Sequence, residues 1–364
     1  MSVAIRGLAR ERVILFALAS ALVLRASGGR LLQDLGLTWS TGGLFAWLFA
    51  TVLFCAFDVV RHAEALAHHY GEPYGTLILT LSAVGIEVIM ITAMMLNASP
   101  NPTLGRDTVY AVLMIVINGL IGLAMFLGGL RFGEQQHNLK SSTSFFSMIL
   151  LLAAVGLYVP TVVHATERRP YEIFLIALSS LLYLLFLRIQ TREHRYFFVS
   201  RAPAWADPSE ADPPGTPGWY HALLLVITLA LIAYLAEGVA LVIDAGVDTL
   251  GMPAELASLL VALLILAPEG LTALRAGLHN DMQRVVNICL GSALSTMSLT
   301  IPAVLAVGLL NGQHVTLALS HVQIVMLGFT LLIAMNSYRA GETNLLHGAI
   351  HFALFAVFIA LIFL

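Results

Sequence analysis

Eleven apolar stretches, most of them long enough to cross a bilayer as helices, constrain this chain more than any other feature. A hydrocarbon core about 30 Å thick needs roughly 20 apolar residues per helix, and each helix must satisfy its own backbone hydrogen bonds there. The stretches lie near 12–28, 42–68, 73–96, 107–130, 144–164, 171–190, 219–245, 253–276, 284–310, 319–338 and 347–364. They leave 59% of the residues hydrophobic and 11% charged, where soluble domains carry about 25% charge. That balance excludes an ordinary cytosolic enzyme and a disordered chain. With 18 basic against 21 acidic residues, there is no basic stripe to hold a nucleic-acid backbone. The expectation is an all-α polytopic membrane protein of about 11 transmembrane helices, ten in two inverted five-helix repeats plus one N-terminal helix.

Orientation follows from arginine and lysine. An N-terminus on the cytoplasmic side puts 13 basic residues inside, Arg61, Arg131, Lys140 and Arg275 among them. Only Arg25, Arg30, Arg106, Arg168 and Arg169 then fall outside. The expected orientation is therefore N-terminus cytoplasmic and C-terminus outside. Residues 1–27 read either as a retained span or as a cleaved signal, since Arg6, Arg10 and Arg12 precede a short apolar run. The expected organisation is an N-terminal span and outer loop over 1–40, a first repeat over 41–190, a Pro-rich linker over 191–218 and a second repeat over 219–364. Five spans per half is an odd number, so similar halves would insert in opposite orientations, as in many secondary transporters.

The halves do resemble each other. The third span reads LILTLSAVGIEVIMI around Glu87, and the eighth reads LVALLILAPEGLTAL around Glu269. The following spans carry Asn118-x-x-x-Gly122 and Asn287-x-x-x-Gly291. A carboxylate inside a bilayer costs about 2.5–3.5 kcal/mol on insertion scales and marks an ion or proton path. Thr76, Thr80 and Ala83 share a helical face with Glu87, and Ser82 is close by. Glu269 follows Pro268, which removes a backbone donor and frees a carbonyl, and Thr272 lies one turn on. Ser292, Ser295, Ser298 and Pro302 continue a small polar seam beyond Asn287.

The chemistry predicted from this pattern is competition. A proton and a metal ion contend for the same carboxylates, and a hard cation such as calcium needs about 6–8 oxygen ligands. Glu87 and Glu269 are the expected cation and proton ligands. Asn118, Asn287, Ser292, Ser295, Thr80, Ser82, Gly122 and Gly291 are supporting ligands or helix seam. Glu64 and Glu237 are candidates for an access path. Asp58 is expected to pair with Arg61, Glu72 to sit at a helix start before Pro73, and Asp244 to lie near a span end. His68, His69, His347 and His351 read as interfacial, and Cys55 and Cys289 as packing residues. No cofactor is expected. The expected partners are lipid, inorganic cations and protons, with a homo-oligomer left open.

HAEALAHHYGEPYGTLILTLSAVGIEVIMI, NGLIGLAMFLGGLRF and LAPEGLTALRAGLHNDMQRVVNICLGSALSTMSLTIPAV together resemble the calcium/cation–proton exchangers. The similarity is to the ChaA-type bacterial branch of the cation/calcium exchanger superfamily, and it runs from the second span onward. It implies a bacterial inner-membrane antiporter of ten core helices in two inverted repeats, with Glu87 and Glu269 as the exchanging acids and Glu64 and Glu237 along the access path. Many calcium exchangers carry Gly-Asn four and three residues before the acid. Here those positions are Ala83 and Val84, and Ile265 and Leu266. Calcium is the leading cation, with sodium or potassium the alternative. A channel would need a filter motif, which the sequence lacks. An intramembrane enzyme would need a nucleophile or metal motif, and none is present.

Overall fold

The structure, a computed structural model, describes residues 11–27, 29–32, 35–36, 38–71, 74–98, 101–164, 167–199 and 216–364. Among these, each of the eleven apolar stretches is a helix. They are α1 (Arg12–Ala26), α2 (Trp39–Tyr70), α3 (Tyr74–Asn97), α4 (Leu104–Phe132), α5 (Leu139–Thr161), α6 (Arg168–Glu193), α7 (Gly218–Leu250), α8 (Glu255–Leu278), α9 (Met282–Asn311), α10 (His321–Ser337) and α11 (Leu345–Ile362). Nine are long and apolar enough to cross a membrane; α10 is a shorter apolar helix of 17 residues and α1 has 15. The expected linker falls mostly on residues outside the described ones, as do Glu72 and Pro73.

Local chemistry sets the helix ends. Thr38, Asn138, Asp281 and Asn344 each accept a backbone N–H in the first turn of α2, α5, α9 and α11. Ser320 and Gln323 form a reciprocal capping box on α10. Gly71, Gly133, Gly251 and Gly312 end α2, α4, α7 and α9 with positive φ, a conformation that costs glycine little.

The chain divides into two compact units: residues 1–101 with 212–267, and residues 102–211 with 268–364. The first holds α1, α2, α3, α7 and the start of α8; the second holds the rest of α8 with α4, α5, α6, α9, α10 and α11. The first unit therefore takes spans two, three and seven with the start of span eight, and the second takes spans four to six and nine to eleven with the rest of span eight.

In the first unit, α2, α3 and α7 pack on one another and α1 lies on α2 and α7. Trp47 donates to Ser20 at 3.1 Å across the α1–α2 contact. In the second unit α4 is the central helix, 78% buried over its most apolar window, whereas α11 is only 22% buried. Large apolar side chains such as Phe174, Leu181 and Leu184 on α6 and Leu332 on α10 are exposed, as lipid-facing residues are.

The loops of the second unit gather at two ends. At one end, β1 (Glu134–Gln136) pairs antiparallel with β2 (Glu342–Asn344), with Gln135 opposite Thr343. Gln135 also donates to the Gly277 carbonyl at 2.8 Å, and the Asn138 backbone N–H donates to Gln283 at 2.7 Å. At the other end, the Thr316 N–H donates to the Pro102 carbonyl at 2.7 Å, and Arg106 donates to the Ala318 carbonyl at 2.9 Å. Thus the loops after α4, α8 and α10 meet at one end. Those after α3 and α9 meet at the other, the alternation that serial membrane crossings require.

Candidate functional site

Glu87 lies in the first unit, midway along α3, and is buried. Ser82 is buried beside it in sequence, and its hydroxyl donates to the Ile78 carbonyl of its own helix at 2.8 Å. Thr76, Thr80 and Ala83 are half-buried, as a face of small and hydroxyl residues allows. Glu64 and Glu237 are exposed and Asp244 is half-buried. Asp58 is buried and pairs with Arg61 at 2.6 Å, the expected i,i+3 bridge.

Glu269 lies in the second unit, one residue past the boundary at Pro268. Its residue surface is half-buried, but Oε2 is sealed from solvent and has no hydrogen-bond partner among the described residues. The Ser292 side chain of α9 lies near the carboxylate, so α8 and α9 bring together two of the expected residues. Thr272 donates to the Pro268 carbonyl at 3.0 Å. Pro268 has no N–H for the Leu264 carbonyl one turn earlier, a backbone oxygen of the kind hard cations take. Ser295 and Ser298 are buried, and their hydroxyls donate to the Ser292 and Leu294 carbonyls within α9.

The two asparagines are already bonded. Asn118 is fully buried inside a π-helical turn over Ile115–Leu120. Its amide donates to Thr330 at 2.8 Å, and its Oδ1 accepts from His351 Nδ1 at 3.1 Å. That makes His351 Nδ1 the protonated nitrogen, leaving Nε2 to accept from Ser337 at 3.2 Å. His351 is thus fully buried and not interfacial as its sequence context suggested. Asn287 is half-buried, donates to the Phe198 carbonyl at 2.6 Å and accepts from Gln283 at 2.8 Å. A π-helical turn also interrupts α9, but over Thr296–Thr300, beyond Asn287.

The seam glycines also part company. A Cβ on Gly122 would meet His351 Cβ and the Phe352 N–H nitrogen, each at 2.9 Å, so this glycine lets α4 and α11 touch. Among the described residues, a Cβ on Gly291 would meet nothing within 4 Å.

Sequence reasoning missed Glu11, His62 and His221. Glu11 and His221 reach Arg61 and His62 from before α1 and from the first turn of α7. The available signal was a histidine directly after the Asp58/Arg61 pair within an apolar helix.

Comparison with known proteins bears on the whole arrangement. The family model described as sodium/calcium exchanger protein matches residues 40–192 and 220–364. The chain is 39% identical over 316 residues to the sodium-potassium/proton antiporter ChaA of Escherichia coli strain K12, covering 86% of each chain. It is 26% identical over 257 residues to a Ca2+/H+ antiporter of Synechocystis, covering 65% of this chain and 69% of that one. Its fold is similar to that of the Ca2+/H+ antiporter protein YfkE, with a TM-score of 0.72 at 18% identity, covering 97% of this chain and 99% of that one. The match over nearly all the membrane helices places the chain in the sodium/calcium exchanger protein family.

Proposed function

We propose that this protein is a secondary active transporter that exchanges a cation for protons by alternating access, with Glu87 and Glu269 each taking up cation or proton in turn. The observation that carries this reading is the recurrence of an intramembrane glutamate at matching places in the two halves of an exchanger-family chain. Either carboxylate is an acceptor when ionised and is neutralised by one proton, so cation release and protonation are alternatives at the same oxygens. The Ser292 side chain near Glu269 is a hydroxyl that can join its carboxylate. Two protons per calcium ion would make the exchange electroneutral, and two glutamates can carry them.

Calcium is the cation this reading puts first. The sodium or potassium alternative rests on a specific observation: Ala83, Val84, Ile265 and Leu266 bring no amide side chain to the turn before either acid. The arginine distribution supports an N-terminus on the cytoplasmic side of a bacterial inner membrane, and the end carrying β1 and β2 would then face the cytoplasm.

The test is proton movement in everted vesicles holding a preformed pH gradient, with calcium, sodium and potassium added separately. Calcium is expected to dissipate the gradient. Dissipation by sodium or potassium alone would keep the mechanism and replace the cation. No response to any of the three from inserted protein would overturn the proposal.

A further inference from the structure

The first unit contains a cluster of ionisable side chains that includes none of the residues assigned above to cation binding. Arg61 Nη2 contacts Glu11 Oε2 at 2.5 Å and Asp58 Oδ1 at 2.6 Å. His62, fully buried, has Nε2 3.1 Å from Arg61 Nη2 and 3.5 Å from both Glu11 Oε2 and Asp58 Oδ2. Its Nδ1 lies 3.0 Å from Nδ1 of buried His221. Tyr220 donates to Glu11 Oε1 at 3.1 Å, and Thr228 donates to Asp58 Oδ2 at 3.3 Å. Among the described residues, the titratable or charged groups facing His62 are thus Asp58 and Arg61 from α2, Glu11 ahead of α1, and Tyr220 and His221 from α7. The titratable side chains of α3 are Tyr74 and Glu87.

Charge counting makes this cluster incomplete. Among the described residues two carboxylates face one guanidinium, so with both imidazoles neutral a single negative charge is left over among these groups. The contact between the two Nδ1 atoms needs one proton shared between them. A further proton on the pair converts His62 Nε2 into a donor toward Glu11 and Asp58 and balances the cluster. Glu11 stays ionised throughout: burial alone would raise its pKa, but His62 and Arg61 outweigh burial and hold it at about 2. It is also the carboxylate with the least support, because it precedes the first turn of the 15-residue α1, whereas Asp58 is built into α2.

We propose that the His62–His221 pair is a proton-operated latch that fastens the start of α1 to α2 and α7. With the extra proton bound the cluster is neutral and Glu11 stays docked. Without it the surplus negative charge expels Glu11. Docking therefore strengthens as pH falls through the titration of the pair and is lost as pH rises. The arginine distribution puts this end on the cytoplasmic side, so the latch reads internal pH.

Hydrogen exchange of the α1 amides in the purified full-length protein tests this without reference to transport, so the latch and the antiport reading fail separately. Between about pH 5.5 and pH 9, a window bracketing histidine titration, wild-type protection corrected for intrinsic exchange is expected to fall by roughly tenfold. In His62→Gln that step is expected to vanish. Glu11→Gln removes the surplus charge and is expected to flatten the profile too, which keeps the test alive should His62→Gln misfold. A flat wild-type profile, or an undiminished step in either variant, would overturn the latch.

Discussion

Asn118 and Asn287 occupy matching places in the repeat, yet the fold holds them in opposite ways. Asn118 is fully buried and joins α4 to α10 and α11 through Thr330 and His351. Asn287 is half-buried and ties α9 to the chain at Phe198. Gly122 and Gly291, four residues on, diverge in the same sense, one pressed against a neighbouring helix and the other facing open space. The glutamates differ as well: Glu87 lies in an uninterrupted helix, while Glu269 follows a proline and has the Ser292 side chain nearby. What the halves share is the acid; the surroundings of each copy have been rebuilt for its own packing.

Substitutions at matched positions can break or sharpen this contrast. The largest difference is expected between Gly122→Ala and Gly291→Ala. The first forces a methyl against the backbone of α11 and should cost about 3 kcal/mol, toward the upper end for overpacking. The second should stay within about 0.5 kcal/mol. Thermal unfolding of the detergent-purified variants reads both, and equal shifts would mean the two seams pack alike.

Next comes Asn118→Ala against Asn287→Ala. Loss of Asn118 strands buried groups on Thr330 and His351, at a cost of about 1–2 kcal/mol for interhelical polar contacts in a membrane protein. Asn287 is partly exposed, so water can replace its bonds and less than half that cost is expected. A larger loss at Asn287 would reverse the assignment of the central joint.

The smallest contrast concerns hydroxyls. Ser292→Ala removes the hydroxyl near Glu269 and is expected to weaken apparent cation affinity roughly tenfold, equivalent to about 1.4 kcal/mol. Ser82→Ala removes a hydroxyl bonded within its own helix and should leave transport unchanged. Matched effects in a cation titration of exchange would show that Ser82 also serves its acid.

Most of the fold was legible because membrane helices announce themselves by length and hydropathy. All eleven stretches are helices, and the Asp58–Arg61 pair followed from i,i+3 spacing alone. The partners of the polar residues were not legible. Asn118 finds Thr330 and His351 212 and 233 positions away, and His62 finds His221 159 positions away. Such pairings depend on which helix faces touch, and hydropathy carries no record of that. The same limit applies to the two units, which interleave the halves of the sequence, an assembly that hydropathy does not record. His351 shows the error this produces: a pair of histidines near a helix start reads as interfacial, but tight packing of Gly122 against His351 closes that helix over its ring.

The central claim is that one acid in each half carries cation and proton in exchange. The most direct measurement is cation-driven proton movement by the purified protein in liposomes, comparing wild type with Glu87→Gln and Glu269→Gln. The account predicts saturable exchange in the wild type and its complete loss in each variant, with both variants retaining wild-type unfolding temperatures and insertion. Full exchange by either folded variant would contradict it.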